Sequence, residues 1–484
     1  MIPLGPYLPD APAAGAHSTV ASNCVPGVGY YAPFYSAVRY SNAAAEKVLS
    51  AASFISSAGT PYNFAGTKSY LLKITSAAWE DVSILAGYTT TGFWDWCVYG
   101  NRVIATNGEK KPQSYVMGSS TDFADLTADD VIAKTCAVVK DFVFMGYTTE
   151  SAVGYPYRVR WSALGDPTDF TASVTTQSDY QDLQGESYTG KVQKVIGGEY
   201  ATVFCEQGIF RGTYIGGELI FSFDQIVNGQ GTPAPMSVVA HGEMIFFLGN
   251  DGFYMLTPGG LIPIGEGQVN RTFLNEVYRV ELSTVQAVID PGRSLYIVAY
   301  PVATGTLGKL IIYNWNAKIW TTAEPGNLDA VYHFYSESTA TDSATAYDNI
   351  DTGAYSGTPT DSNTFVGGVA SLAGVDSSHY SVVFNGSPLT ATFETGEAQL
   401  TNGKTLVTNI IPAIEGSAST IYASVGYRNT PQEAVYYTSE VAANSEGECN
   451  LFNVARYQRA RLRVVGGFTK AYGVTPEFKA AGRY

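Results

Sequence analysis

The stretch GESYTGKV, Gly185 to Val192, comes within one residue of the phosphate-binding loop Gly-x-x-x-x-Gly-Lys-Ser/Thr. That chemistry needs a final hydroxyl to hold magnesium, and Val192 has none. It also needs a helix to follow, whose N-terminal amides cradle the phosphates. The residues that follow, KVQKVIGGEYATVF, read as a strand. The segment is therefore expected to be a turn between repeating units, with no nucleotide bound.

Other chemistry-bearing residues are sparse. The four histidines, His17, His241, His333 and His379, lie far apart, and no H-E-x-x-H, C-x-x-C or EF-hand spacing occurs. His241, in HGEM, reads as a residue of a hairpin turn. Asp348, Asp351 and Asp361 fall in a polar stretch and read as solvated carboxylates in preference to a calcium site. A glycosidase would need carboxylates paired across a site. Yet no S-x-D-x-G-x-x-W box recurs, and NDGFYML is its nearest approach. The chain reads as a protein without enzymatic activity, cofactor or metal.

Two segments stand out for their pattern. Arg459, Arg461 and Arg463 are spaced by two, so on a strand they share one face while Ala460, Leu462 and Val464 share the other. Such a row either pairs with acids such as Glu394 or Glu397, or forms an interface that docks an acidic partner or a neighbouring copy. The second segment is YRVRWSALGDPTDF, Tyr157 to Phe170. Alternation puts Tyr157, Val159 and Trp161 on one face, with Trp161 buried, and Arg158 and Arg160 on the other. Asp166-Pro167 ends the strand because proline has no N–H to give the ladder. Asp169 can bind the turn backbone and Phe170 can pack back. Trp161, Asp166, Pro167 and Asp169 thus form a rigid scaffold turn.

These segments sit within a recurring pattern of a short apolar strand, a polar turn and a second β-rich strand. It appears as SFISSAGTPYNFAG from Ser53, VYGNRVIAT from Val98, VVKDFVFMGY from Val138, VIGGEYATVFCEQGIFR from Val195, VVAHGEMIFFLGNDGFYML from Val238 and VIDPGRSLYIVAYP from Val288. Antiparallel hairpins at this spacing are the sequence mark of propeller blades. The fold expected is all-β: a β-propeller-like array of about six or seven hairpin blades with an additional C-terminal β-sandwich-like module. The divisions expected are an N-terminal arm at 1–50, blades at 51–335, a polar insertion at 336–363, a closing blade at 364–390 and the sandwich at 391–484. Two short helices are expected, at NAAAEKVLSAA near Ala45 and at VNRTFLNEVYR near Phe273, the second capped by Asn270.

Bulk composition agrees. Of 484 residues 45% are hydrophobic but only 15% charged, with 50 Gly and 34 Tyr, so the surface must be built from Ser, Thr, Asn, Gly and Tyr. The net charge of −15 argues against tight nucleic-acid binding, although a conduit for DNA gains from repelling its cargo. MIPLGPYLPDAPAAG lacks a basic, apolar leader pattern, so no secretory signal is expected, and no run of roughly 18 apolar residues predicts a membrane span. Five scattered cysteines, Cys24, Cys97, Cys136, Cys205 and Cys449, suggest free thiols and a reducing compartment.

Taken in order, RWSALGDPTDF joins a collinear set of landmarks. YLPDAP and SNCVPGVGYYAPF precede it, followed by YNFAGTKSYLLKI and WEDVSILAGY. After it come GGEYATVFCEQGIFRGTYIGG, FFLGNDGFYML, ATFETGEAQL, ARYQRARLRV, AYGVTPEF and a final AGRY. The set resembles the tail nozzle (tail hub or knob) proteins of short-tailed bacteriophages over nearly the whole chain. It departs at Cys24, where the family more often has an aliphatic residue, and in the polar insertion near Asp348. The resemblance implies a structural virion protein assembled in the host bacterial cytoplasm. Copies would form a ring, sixfold, below the portal and adaptor proteins and beside tailspikes or fibres. The ring would retain the genome and pass DNA without sequence-specific binding. The alternative is a host-recognition tail protein, a glycan-binding spike or fibre component with or without hydrolase activity.

Overall fold

In the computed structural model, which describes residues 1–185, 188–335, 370–416 and 418–482, five of the six hairpins open a four-stranded antiparallel sheet, and the sixth opens a longer sheet whose first four strands are antiparallel. The first strands of these six blades are Val48–Ile55, Asp95–Tyr99, Val131–Val139, Val192–Ile196, Val239–His241 and Gln286–Asp290. Turn chemistry sets the hairpins. Lys140 and Gly100, at φ 51° and 58°, make the tight left-handed corners that match strand twist. His241 ends its strand just before the turn at Gly242, which carries φ 59°.

A seventh blade closes the ring, and it draws on three parts of the chain. Leu328–Tyr335, Ala370–Asp376 and Tyr380–Val383 are completed by Val38–Ala43 from the N-terminal region. Neighbouring blades are locked near the axis by side chains that bond the next blade's backbone. Ser50 donates to the Trp94 carbonyl (2.7 Å), Thr135 Oγ1 lies 3.1 Å from the Val195 N–H, and Gln286 bonds both Leu49 and Val331 (3.0 and 3.2 Å). Ser53 reaches His333 of the closing blade at 2.5 Å. Between blades four, five and six the seal is aromatic, with Phe204–Phe247 and Phe246–Tyr296 ring centres 5.0 and 5.2 Å apart.

The crowded axis overrides one helix expectation. NAAAEKVLSAA is not helical: Val48–Ile55 is the innermost strand of the first blade. Alanine is a strong helix former, but here the run Ser50, Ala51, Ala52, Ser53 supplies the small side chains that an axial strand needs. Close packing shows again at Gly66, where a Cβ would fall 2.2 Å from the Trp94 ring. The second helix is present as Asn270–Glu276. Its cap is not Asn270. Asp10 accepts from the Arg271 and Thr272 amides (2.7 and 2.9 Å) and from the Thr272 hydroxyl (2.6 Å), a tertiary N-cap reaching across 261 residues.

The C-terminal module is a sandwich, and the first residues of the chain are built into it. One sheet runs Cys24–Gly27, Tyr30–Pro33, Lys470–Ala480, Thr405–Glu415, Cys449–Ala455, with Ile2–Pro3 on Lys470–Ala480. The other continues the sixth blade: Ile319–Ala323 pairs with Ser18–Ser22, then come Ala391–Thr395, Tyr457–Gly467 and Ala418–Arg428. Residues 1–50 are therefore no separate arm. One core holds Trp320, Phe253 and Phe273 of the propeller side together with Tyr31, Phe393, Leu462 and Ile410 of the sandwich. All five cysteines are free, and four of them are buried. The polar segment 336–363 lies outside the described residues.

Because Ser18–Ser22 and Val38–Ala43 complete two sheets, a chain lacking residues 1–43 should lose cooperative unfolding. Circular dichroism melts are expected to show no sharp transition; a native-like Tm would refute the shared architecture.

Candidate functional site

The segment Tyr157 to Phe170 is where sequence and structure can be matched side chain by side chain. Trp161 is buried, donates to the Gln177 carbonyl (3.0 Å), and packs on Phe144 and Phe221 with ring centres 5.6 and 5.1 Å away. Its Arg neighbours are not solvated. Arg158 forks onto Asp182 (2.8 and 2.9 Å) and lies between the Tyr155 and Tyr180 rings, 3.7 and 3.8 Å from their centres. Arg160 pairs with Glu150 (2.7 Å) and donates to the Phe170 carbonyl.

In the turn itself, Asp166 accepts from the Thr168 amide and hydroxyl (2.9 and 2.7 Å), and these bonds hold its carboxyl below the usual range. Pro167 follows it at the corner, and Asp169 accepts from the Thr171 amide (2.9 Å). Phe170 is buried beside Ile104 and Leu126 of the second blade, its amide held by Asp129 (2.8 Å). The turn thus buckles blade three to blade two, and its charges are structural.

The Arg row meets its partners inside the chain. Arg459 and Arg461 both bind Glu394 (2.8 and 2.6 Å), whose side chain is 2% exposed and which also accepts from Thr19 and Tyr437 (both 2.9 Å). Arg463 pairs instead with Glu440 at 2.6 Å, nearer solvent, and Arg428 takes Glu397. Glu394 thereby ties Ala391–Thr395 to Tyr457–Gly467 and to the N-terminal strand. Arg463 lowers the Glu440 carboxyl pKa by donating to it. That pair stabilises the fold above the ordinary carboxylate pKa and ceases to do so as pH falls through the lowered folded value.

The inner strands of the blades border two small, partly open cavities. One, of about 330 Å³, is lined by Asp95, Lys134, Lys194, Glu109, Tyr147 and Met236. The other, of about 320 Å³, lies among Ala51, Trp96, Met236, Val239, Gln286 and Tyr332. Met236 lines both. Asp95, almost fully buried, is the polar hub of this region. It binds Lys194 of blade four and takes the Thr135 hydroxyl (2.6 Å) and the Cys136 amide (3.1 Å) of blade three. Nothing in the local sequence marks Asp95 or Lys194, because their partners lie 40 to 99 residues away. Lys134 rests over the Tyr147 ring at 3.9 Å.

The remaining candidates are dispersed. Val192 is buried and opens a strand in place of the helix that a phosphate loop requires. His241 packs on Trp315, and His379 binds buried Asp329 at 2.5 Å. Burial lowers the pKa of His17 and His333. Among the described residues no three His, Cys, Asp or Glu side chains are grouped to hold a metal, and no helix is long and apolar enough to cross a membrane. Asp348, Asp351 and Asp361 lie outside the described residues.

Two carboxylates of the same sheet should respond very differently to removal. Glu394→Ala removes the buried carboxylate shared by two guanidinium groups and two hydroxyls and is expected to destabilise by about 3–5 kcal/mol. Glu440→Ala, at a half-exposed pair, should cost no more than about 1 kcal/mol. Urea unfolding of both variants measures the contrast, and equal losses would contradict it.

No protein-family model matches the chain, and no curated protein matches it. Solved structures similar to it include an extracellular domain described as that of a hybrid two-component system of B. thetaiotaomicron (7% identity, TM-score 0.42, covering 86% of this chain and 47% of that one). The chain thus spans about half the length of that relative. Two others are a computationally designed protein (8%, TM-score 0.37, covering 78% and 99%) and BamB from Moraxella catarrhalis (9%, TM-score 0.36, covering 75% and 95%).

Proposed function

We propose that this chain is the tail nozzle (tail hub) subunit of a short-tailed bacteriophage. Copies of it, six in number, form a ring below portal and adaptor and beside the tailspikes or fibres. The ring retains the genome and conducts DNA during ejection. The observation that carries this reading is the collinear set of landmarks, together with where they fall in the fold. Asp10 of YLPDAP caps the helix, Asn23 of SNCVP joins blade six to the sandwich, RWSALGDPTDF buckles blades two and three, and Glu394 of ATFETGE binds the Arg row of ARYQRARLRV. These four motifs join elements distant in the chain, a property wanted in the wall of a pressurised tube.

The conduit on this reading is enclosed between protomers. The cavities among the inner strands, of about 320–330 Å³, are of small-molecule size, which favours a bore between protomers over one through a propeller. The acid excess of the chain, −15, disfavours adhesion of phosphates to the lumen wall. Asn, Ser, Thr and Tyr surfaces suit close lateral packing, in which charges would have to be desolvated.

A symmetry-resolved cryo-EM map of the virion should place this chain in a sixfold ring on the distal tail axis. Reversing several of the acids that line its bore to Lys should slow ejection. Density in peripheral spikes or fibres, or ejection kinetics unchanged by reversal, would overturn the reading.

A further inference from the structure

Between blades three and four lies an open groove of about 600 Å³ that the ring role leaves unexplained. One wall is the end of the hairpin Phe142–Glu150 and Val153–Trp161. Its register slips between Gly146 and Thr148, and residues 156–158 bulge from the returning strand. That bulge carries Tyr157 to the groove. The facing wall is the connection to blade four, with Asp182, Gln184, Tyr188 and Thr189.

Two features make the groove more than a crevice. Tyr157 and Tyr188 are 41% and 64% exposed, and among the described residues neither ring stacks on another ring or on a cation. Two unfilled aromatic faces thus border a cavity of ligand size. Beside them, the Asp182 carboxylate is held rigid by the Arg158 fork, itself clamped between Tyr155 and Tyr180, yet its side chain stays 45% exposed. It is a preorganised acceptor with lone pairs to spare. Arg158 also binds Glu150, so its charge is already neutralised, and among the described lining residues there is no other cation; Lys191 stands next to the groove, and Glu206 accepts from the Tyr188 hydroxyl at 3.4 Å.

We infer that this groove binds a neutral saccharide. The C–H faces of pyranose rings rest on Tyr157 and Tyr188, and sugar hydroxyls donate to Asp182 and exchange hydrogen bonds with Gln184. The Asp182 and Glu206 carboxylates beside the two rings disfavour phosphate and acidic sugars. The proposal is independent of the nozzle reading, since it concerns the isolated chain.

Saturation-transfer NMR on the purified full-length protein tests it, with cellohexaose, chitohexaose and maltohexaose as probes and with inorganic phosphate and a proline-rich peptide as rivals. At least one hexaose is expected to bind, with an affinity insensitive to NaCl because the ligand is uncharged. Tyr157→Ala and Tyr188→Ala, both at exposed rings outside the core, should each weaken it by about tenfold. Gln184→Ala should weaken it as well, and Tyr200→Ala, at another exposed tyrosine, should not. Absence of binding by all three sugars would overturn the proposal. So would affinity that survives both tyrosine changes, loss of binding with salt, displacement by phosphate, or capture of the peptide instead.

Discussion

The strand Ser18–Ser22 is the constraint on which the rest of this molecule hangs. It lies between the outer strand of blade six and Ala391–Thr395, and so turns two sheets into one. At its end Asn23 adopts φ 58°, a conformation asparagine tolerates better than most residues. It bonds Thr322, Glu324 and Thr390 at 2.7, 2.8 and 2.9 Å. Next to it Thr321 binds the Cys24 carbonyl and Asn314 the Pro26 carbonyl. A propeller and a sandwich that share a sheet and a core have no hinge between them. Hydrophobic burial across that seam, from Trp320 to Phe393, then stabilises both modules at once.

Charge is used sparingly and internally. With 15% charged residues, much of the buried or half-buried charge is committed to inter-element ties: Glu394 to two arginines, Glu397 to Arg428, Asp95 to Lys194, Asp182 and Glu150 to Arg158. The ties of Glu394 and Asp95 span elements far apart in the chain and those of Arg158 join neighbouring strands of one blade, so they fix register and docking more than they add net stability. Outside these ties the surface mixes exposed charges such as Glu80, Glu218, Lys318 and Glu446 with many neutral polar side chains and tyrosines. Such a surface suits contacts with copies of the same chain, where desolvating many ions would be unfavourable.

The proposed nozzle role and the proposed saccharide groove draw on different parts of this design. The first rests on landmark residues that join distant elements of the fold. The second rests on a local bulge in one hairpin that brings an unpaired tyrosine and a fixed carboxylate to the same opening. Neither uses the cavities among the inner strands, which Met236 and the buried Asp95–Lys194 pair line.

Six of the seven blades were legible in the sequence, because each begins with a hairpin whose turn residues and alternating apolar strands are local properties. The seventh was not. Its first and second strands are separated by residues 336–369, and its last strand comes from Val38–Ala43, so no contiguous pattern announces it. The same distinction runs through the side chains. Alternation alone placed Trp161 in the core and the arginines of Tyr457–Gly467 on one face. Which acids would meet those arginines was left open, since Glu394 and Glu440 are chosen by strand order and not by spacing. Alanines read as helix became an axial strand because seven blades crowd the centre, and Asp10 became a helix cap because the chain returns to it. Patterns of period two and tight turns are written locally in the sequence, whereas pairing across distant strands is decided only when the sheets assemble.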